Sequence, residues 1–195
     1  MPIRINYEDT WVAEDRWNWE AKDDICICAV DGYAESKREE ITRCLKNLLA
    51  EFGLPLQVRR IRTRGRSIIK KLLRNSVSGH EIICQEFVDR LKDARPREPL
   101  LQPALVIAFE GKIRLRDKVS HKPDEPPEWG WTDPDGLILL RLVPSEPLWN
   151  VVRHEMGHLI GNLDHHPNCV MDWNCGEAEF CEECTERIRR TCQWE

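Results

Sequence analysis

Val151-Val152-Arg153-His154-Glu155-Met156-Gly157-His158-Leu159-Ile160-Gly161-Asn162-Leu163-Asp164 is the stretch on which the reading of this chain turns. Residues four apart on an α-helix lie one turn apart on the same side. His154 and His158 can therefore offer two imidazole nitrogens to one Zn²⁺ about 2 Å from each. Glu155, one position round, can take a proton from water activated at that cation. Ser145 suits the N-cap of this helix, Pro147 is tolerated in its first turn, and Gly161 ends it as a C-cap glycine. Leu148, Val151, Val152, Met156, Leu159 and Ile160 form an apolar stripe at helical spacing. The two histidines lie along one edge of that stripe, and Glu155 falls inside it. A carboxylate on a buried face needs a partner, and water held at a cation would supply one. A core helix with satisfied histidines and a paired glutamate fits the same pattern, so the segments around it decide.

Past Gly161, a third ligand is expected six residues after His158, which is Asp164. Cys169-Val170-Met171 puts a methionine seven residues further on, and Phe180-Cys181-Glu182-Glu183-Cys184 holds a Cys-x-x-Cys pair. His-Glu-x-x-His is the zinc motif of many metallopeptidases. Helix, glycine turn, third ligand and downstream Met are together the parts of a metzincin site. With the clustered cysteines, they resemble the archaemetzincins. That family reads His-Glu-x-x-His-x-x-Gly-x-x-His-Cys, then Cys-x-Met, then Cys-x-x-Cys, often preceded by Phe. The resemblance covers about residues 137–184.

The resemblance implies an α/β chain: a compact metzincin-like domain with a twisted mixed sheet, an active-site helix and a short zinc-stabilised C-terminal part. It implies one domain over 1–195, with an upper part to about 161 and a lower part from about 162. It implies a zinc metallopeptidase of metzincin type, a hydrolase, with one catalytic and one structural Zn²⁺. On this chain the catalytic zinc would take His154, His158 and Asp164, with Glu155 as general base and Met171 as the Met-turn residue. The structural zinc would take Cys169, Cys181 and Cys184. Cys175 completes a Cys₄ set, and His165 or His166 would instead complete a Cys₃His set. Three departures stand out. Asp164 replaces the third histidine, His165 replaces the next cysteine, and the segment from Met171 to Cys181 is short. An aspartate can ligate zinc, but its charge leaves the activated water less acidic. His165 would take Asp164's place if the turn shifts by one residue, although the spacing favours Asp164.

Bulk properties agree with one globular domain. The 195 residues can bury a sizeable core, and 41% hydrophobic content against 32% charged is not a disordered composition. The net charge of −5 gives no general pull toward nucleic acid. No apolar run is long enough to span a membrane, and the first residues lack the apolar core of a secretion signal. A cytoplasmic monomer is expected, with a peptide or protein substrate and neither a membrane nor a nucleic-acid partner. Nine cysteines, five of them at or beyond Cys169, read in a reducing compartment as metal ligands before disulfides.

The remaining chain supplies a scaffold. Residues 7–24, with Trp11, Trp17 and Trp19, read as a loop or arm. Ile25 to Val30 is a short apolar run ended by Asp31-Gly32 and reads as a buried strand, with Cys26 and Cys28 as small core residues. Glu35 to Phe52 is helical and stopped by Gly53, and Leu56 to Ile61 is a further strand, giving a parallel strand–helix–strand unit. Arg59 to Arg74 is basic throughout. It reads as a strand end and an exposed helix face; an anion or nucleic-acid patch is the rival, and it feeds the alternative of a non-catalytic, zinc-stabilised binding protein. Ser78 to Ala94 looks helical and Ala104 to Phe109 a strand. Residues 120–136 form a proline-rich loop carrying Trp129 and Trp131, either of which could line a substrate subsite. Leu137 to Val143 is the strand that leads into the histidine helix.

Overall fold

Ile25-Cys26-Ile27-Cys28-Ala29 has no polar face to offer water, and the protein uses it as an interior strand. In the computed structural model, β3 (Asp24–Ala29) lies between β4 (Gln57–Arg60) and β7 (Ala104–Glu110), parallel to both. β10 (Leu137–Leu142) runs parallel to β7, and β9 (Gly130–Asp133) pairs antiparallel with β10 at the sheet edge. The order is β4-β3-β7-β10-β9. Covered on both faces, the inner strands are almost continuously apolar, as buried parallel strands are. The structure describes residues 3–6, 10–13, 24–60, 63–93, 104–116, 128–133, 136–145, 147–161, 163–165, 167–172 and 179–192.

Alternate residues of β3 feed two cores. Ile25, Ile27 and Ala29 pack with α1 (Gly32–Glu51), α4 (Leu148–Gly161) and α5 (Glu182–Thr191). Cys26, Cys28 and Val30 face α2 (Thr63–Ser76) and α3 (Cys84–Asp93), among Ile69, Leu73, Phe87 and Leu91. Asp31 fixes the start of α1: one carboxylate oxygen caps Ala34 N at 2.8 Å, and the other accepts from Glu110 N at 2.7 Å. The helix start is thereby tied to the end of β7. Burial pushes the Cys28 thiol up to about 12, so it stays a neutral core residue.

Several local expectations are corrected. Ser145 lies ahead of the histidine helix, whose first amides, Asn150 N and Val151 N, bond instead to the Pro147 carbonyl. Ser78–Ala94 is not one helix. Gly79, at φ 64°, turns β5 (Val77–Ser78) back onto β6 (Glu81–Ile83), and among the described residues the helix is Cys84–Asp93. β6 pairs with β8 (Arg114–Arg116), which buries Ile82 beside Leu115. The loop assigned to 120–136 contains β9, because Gly130–Asp133 pairs with Leu140–Leu137 and Gly136, at φ 90°, makes the turn. In the arm, Thr10–Ala13 forms β2 and pairs with β1 (Ile3–Asn6). Trp17, Trp19 and the prolines from 96 to 127 lie outside the described residues.

The C-terminal helix α5 adds an element to those expected from the sequence. Its sequence Glu182-Glu183-Cys184-Thr185-Glu186-Arg187-Ile188-Arg189-Arg190-Thr191 has acids in the first turn and arginines in the last, the arrangement that suits a helix dipole. Cys184 and Ile188 are its buried residues, and Ile188 packs beneath Gly161 of α4. No helix among the described residues is long and apolar enough to cross a membrane.

Candidate metal centre

α4 descends from the end of β10 and is buried along nearly its whole length, including His154 and Glu155. His154 Nδ1 is 2.8 Å from the Val170 carbonyl oxygen, and His158 Nδ1 is 2.6 Å from that of Leu163. A carbonyl oxygen can only accept, so each Nδ1 carries the ring proton and each Nε2 keeps a bare lone pair. Those two Nε2 atoms face each other at 3.1 Å. Two lone pairs at that distance repel unless a cation lies between them. Tetrahedral zinc with bonds near 2.05 Å would set its nitrogens about 3.3 Å apart. The donor set therefore fits Zn²⁺, with both Nδ1–H groups anchored as metal-bound histidines usually are.

The third member is His165. Its ring centroid is 5.2 Å from that of His154 and 4.9 Å from that of His158, and ligand atoms of the three lie within 4.8 Å of one another. Asp164, the choice made by spacing, lies apart from this group: its side chain is 97% exposed and pairs with Arg187 at 3.9 Å. The cause is Leu163. This side chain is buried against Gly157 and Gly161. With Leu163 turned inward, Asp164 faces solvent and the next residue returns to the helix. His165 therefore belongs with the histidines and is not offered to the cysteines.

Glu155 is buried on the flank of α4 that meets β9. The Thr132 hydroxyl donates to Glu155 Oε2 at 2.6 Å and lies 3.1 Å from the backbone carbonyl oxygen of Glu155. Gly130 makes room for it: a Cβ there would sit against the Glu155 carboxylate and 2.5 Å from its Cγ. Gly130→Ala must displace the whole side chain and break the Thr132 bond. The expected cost is about 1–3 kcal/mol, as for overpacking, read as a lowered thermal midpoint; an unchanged midpoint contradicts the contact.

The electrostatics oppose one another. Burial, then the His158 charge, pushes His154 down to about 4; the same two causes bring His165 to about 4, and burial lowers His158. Burial pushes the Glu155 carboxyl up to about 8, against the lowering effect of the Thr132 hydrogen bond. In the metal-free protein, histidines freed by unfolding take up protons below pH 6.5 that the folded site refuses, so their effect on stability falls toward acid. Glu155 acts oppositely. Its folded carboxyl keeps a proton that the unfolded chain releases above about 4.5, so stability falls as the pH rises through 8. Glu155→Gln removes only the second effect. Thermal melts in chelator should show the variant gaining on the unaltered protein from pH 4.5 to 8; parallel profiles would count against a buried carboxyl.

Beneath the histidines, Met171 is fully buried, and a Cβ on Gly157 would lie 2.5 Å from its sulfur. Cys169, Cys181 and Cys184 form a second group with sulfurs within 4.8 Å of one another. Burial raises the Cys181 thiol, but the N–H groups of Cys184 and Glu183 at the start of α5, with the Cys184 and Cys169 thiols, outweigh it and leave Cys181 lowered. A thiolate there is a ready metal ligand. Burial, then the Cys181 thiol, raises Cys184. Cys175 and His166 lie outside the described residues.

Two features escaped the sequence. One is the Thr132–Gly130 seat of Glu155, hidden inside a segment read as irregular loop. The other is Arg153, which is 1% exposed and sits between the rings of Trp149 and Phe180, 4.9 Å from each. It bonds to Glu51 at 2.6 and 3.0 Å and to Glu179 at 2.9 Å. An arginine inside an apolar helix was the available signal, since a buried charge requires partners. The two tryptophans part company: Trp129 packs on the α4 side of the sheet and Trp131 on the opposite side.

No protein-family model matches the sequence, and no curated protein matches it. Among solved structures, the chain is similar to archaemetzincin from Methanopyrus kandleri, with 19% sequence identity and a TM-score of 0.61. The match covers 89% of this chain and 97% of that one. The helix bearing His154, Glu155 and His158, the third histidine that returns to it, and the cysteine group below therefore stand in an archaemetzincin fold.

Proposed function

We propose that the protein is a zinc-dependent peptidase that hydrolyses peptide bonds with Glu155 as general base. The supporting observation is the convergence of three imidazoles, two with Nε2 lone pairs aimed at one point. His154, His158 and His165 would hold the ion. Zinc bound there would supply a Lewis acid that polarises the scissile carbonyl and makes water more acidic. Glu155 takes the proton of the attacking water and delivers it to the leaving amine. Thr132 keeps the carboxylate oriented while Gly130 leaves it space. Substrate peptide lies along the edge strand β9 as an added strand, with Trp129 as the aromatic on the α4 side.

Cys169, Cys181 and Cys184 would hold a second zinc as a structural clasp for a loop-rich segment with little core of its own. Cys175 or His166 would complete it. The test is metal analysis of protein purified without chelator, followed by a peptide-library digest of the zinc-loaded form. Two equivalents of zinc and sequence-selective cleavage are expected. Full zinc with no cleavage, together with a salt-dependent shift of RNA, would favour the binding-protein reading instead.

A further inference from the structure

Arg153 lies one residue before the first histidine and points away from it, into the contact between α4, the end of α1 and the segment that precedes α5. Its two terminal nitrogens divide between Glu51, on the last turn of α1, and Glu179. Glu51 takes the bidentate bond, and Glu179 takes a single one from a side chain that is itself 71% exposed. The backbone of Glu179 continues inward: its carbonyl accepts from Val170 N at 2.8 Å. The Val170 carbonyl in turn holds His154 Nδ1. A continuous path thus runs from the arginine through Glu179 and Val170 to the ring that must present Nε2 to the cation. Among the described residues, the Glu51 arm has no such continuation and fastens α4 to α1.

We propose that Arg153 is a positioning residue for the histidine metal site, acting on His154 through Glu179 and Val170. This rests on the three histidines binding a metal. The guanidinium, held by two rings and two carboxylates, sets where Glu179 and Phe180 sit against α4. That in turn sets the direction of the Val170 carbonyl and the tilt of the imidazole. Partners that orient a ligating histidine in this way typically change metal affinity by about 10–100-fold when altered.

The two glutamates separate positioning from mere stability. Co²⁺ is titrated into the metal-free protein, with the nitrogen-ligand visible band reporting the histidine site and the thiolate charge-transfer band reporting the cysteine site. Thermal midpoints are measured alongside. Glu179→Gln is expected to weaken Co²⁺ at the histidine site about 10-fold with a small change in midpoint. Glu51→Gln is expected to lower the midpoint more and leave that affinity within about twofold, since it removes a fastening but no link of the path. Arg153→Met should show both losses, and the two glutamate variants carry the test if it fails to fold. Equal losses of affinity in both glutamate variants, or none in Glu179→Gln, overturn the inference alone. A histidine-site band missing from the unaltered protein removes the metal reading together with it.

Discussion

Under the proposed function, Glu155→Gln is expected to retain zinc at the histidines and to lower kcat by about 10²–10⁴-fold, the range a positioned general base supplies. The substitution keeps the shape and the ability to accept from Thr132 Oγ1, which donates at 2.6 Å. It removes only the capacity to take a proton. The burial that pushes this carboxyl up to about 8 makes it a stronger base than an exposed glutamate, and a cation nearby draws it back toward the ionised form. Metal content and circular dichroism of the variant should match the unaltered protein while turnover of a cleaved peptide is lost. Hydrolysis at the original rate would remove Glu155 from the chemistry.

His165→Ala is expected to cost the proposed histidine site more than about 100-fold in zinc affinity, because loss of a ligand exceeds the roughly 10–100-fold cost of disturbing its supporting partners. Asp164→Ala leaves that affinity nearly unchanged. The reason is geometric: Asp164 is 97% exposed and lies near Arg187, whereas His165 faces the other two rings. Chelator competition measures both variants. The reverse ranking would restore the ligand chosen by spacing and discard the turn described here.

That one-residue difference shows where the sequence stops speaking. The helical spacing of His154 and His158 and the apolar stripe beside them are local properties, and both the helix and its buried face were legible. So was the apolar run from Ile25 to Ala29, whose burial on both sides needs no knowledge of its neighbours. The turn after Gly161 is different. Which residue faces the metal depends on Leu163 finding the space above Gly157 and Gly161, a tertiary contact that counting cannot deliver. An apolar residue in an otherwise polar turn was the hint that 163 goes in, 164 out and 165 back. The same limit hid β9. Trp131 and Thr132 favour strands, but the prolines before them argued for loop, and only pairing with β10 decides. It also hid Arg153, whose partners lie far away in sequence, at Glu51 and Glu179.

In the proposed site, three imidazoles, from a helix and the turn after it, would enclose one cation. X-ray absorption at the zinc edge, on protein whose cysteine site is weakened by Cys181→Ser, the partly exposed member of that group, tests it most directly. A single zinc with three nitrogen neighbours at about 2.0–2.1 Å, lost on His165→Ala, is the predicted result. A spectrum without imidazole scattering, or no zinc retained at all while the protein stays folded, would contradict the account.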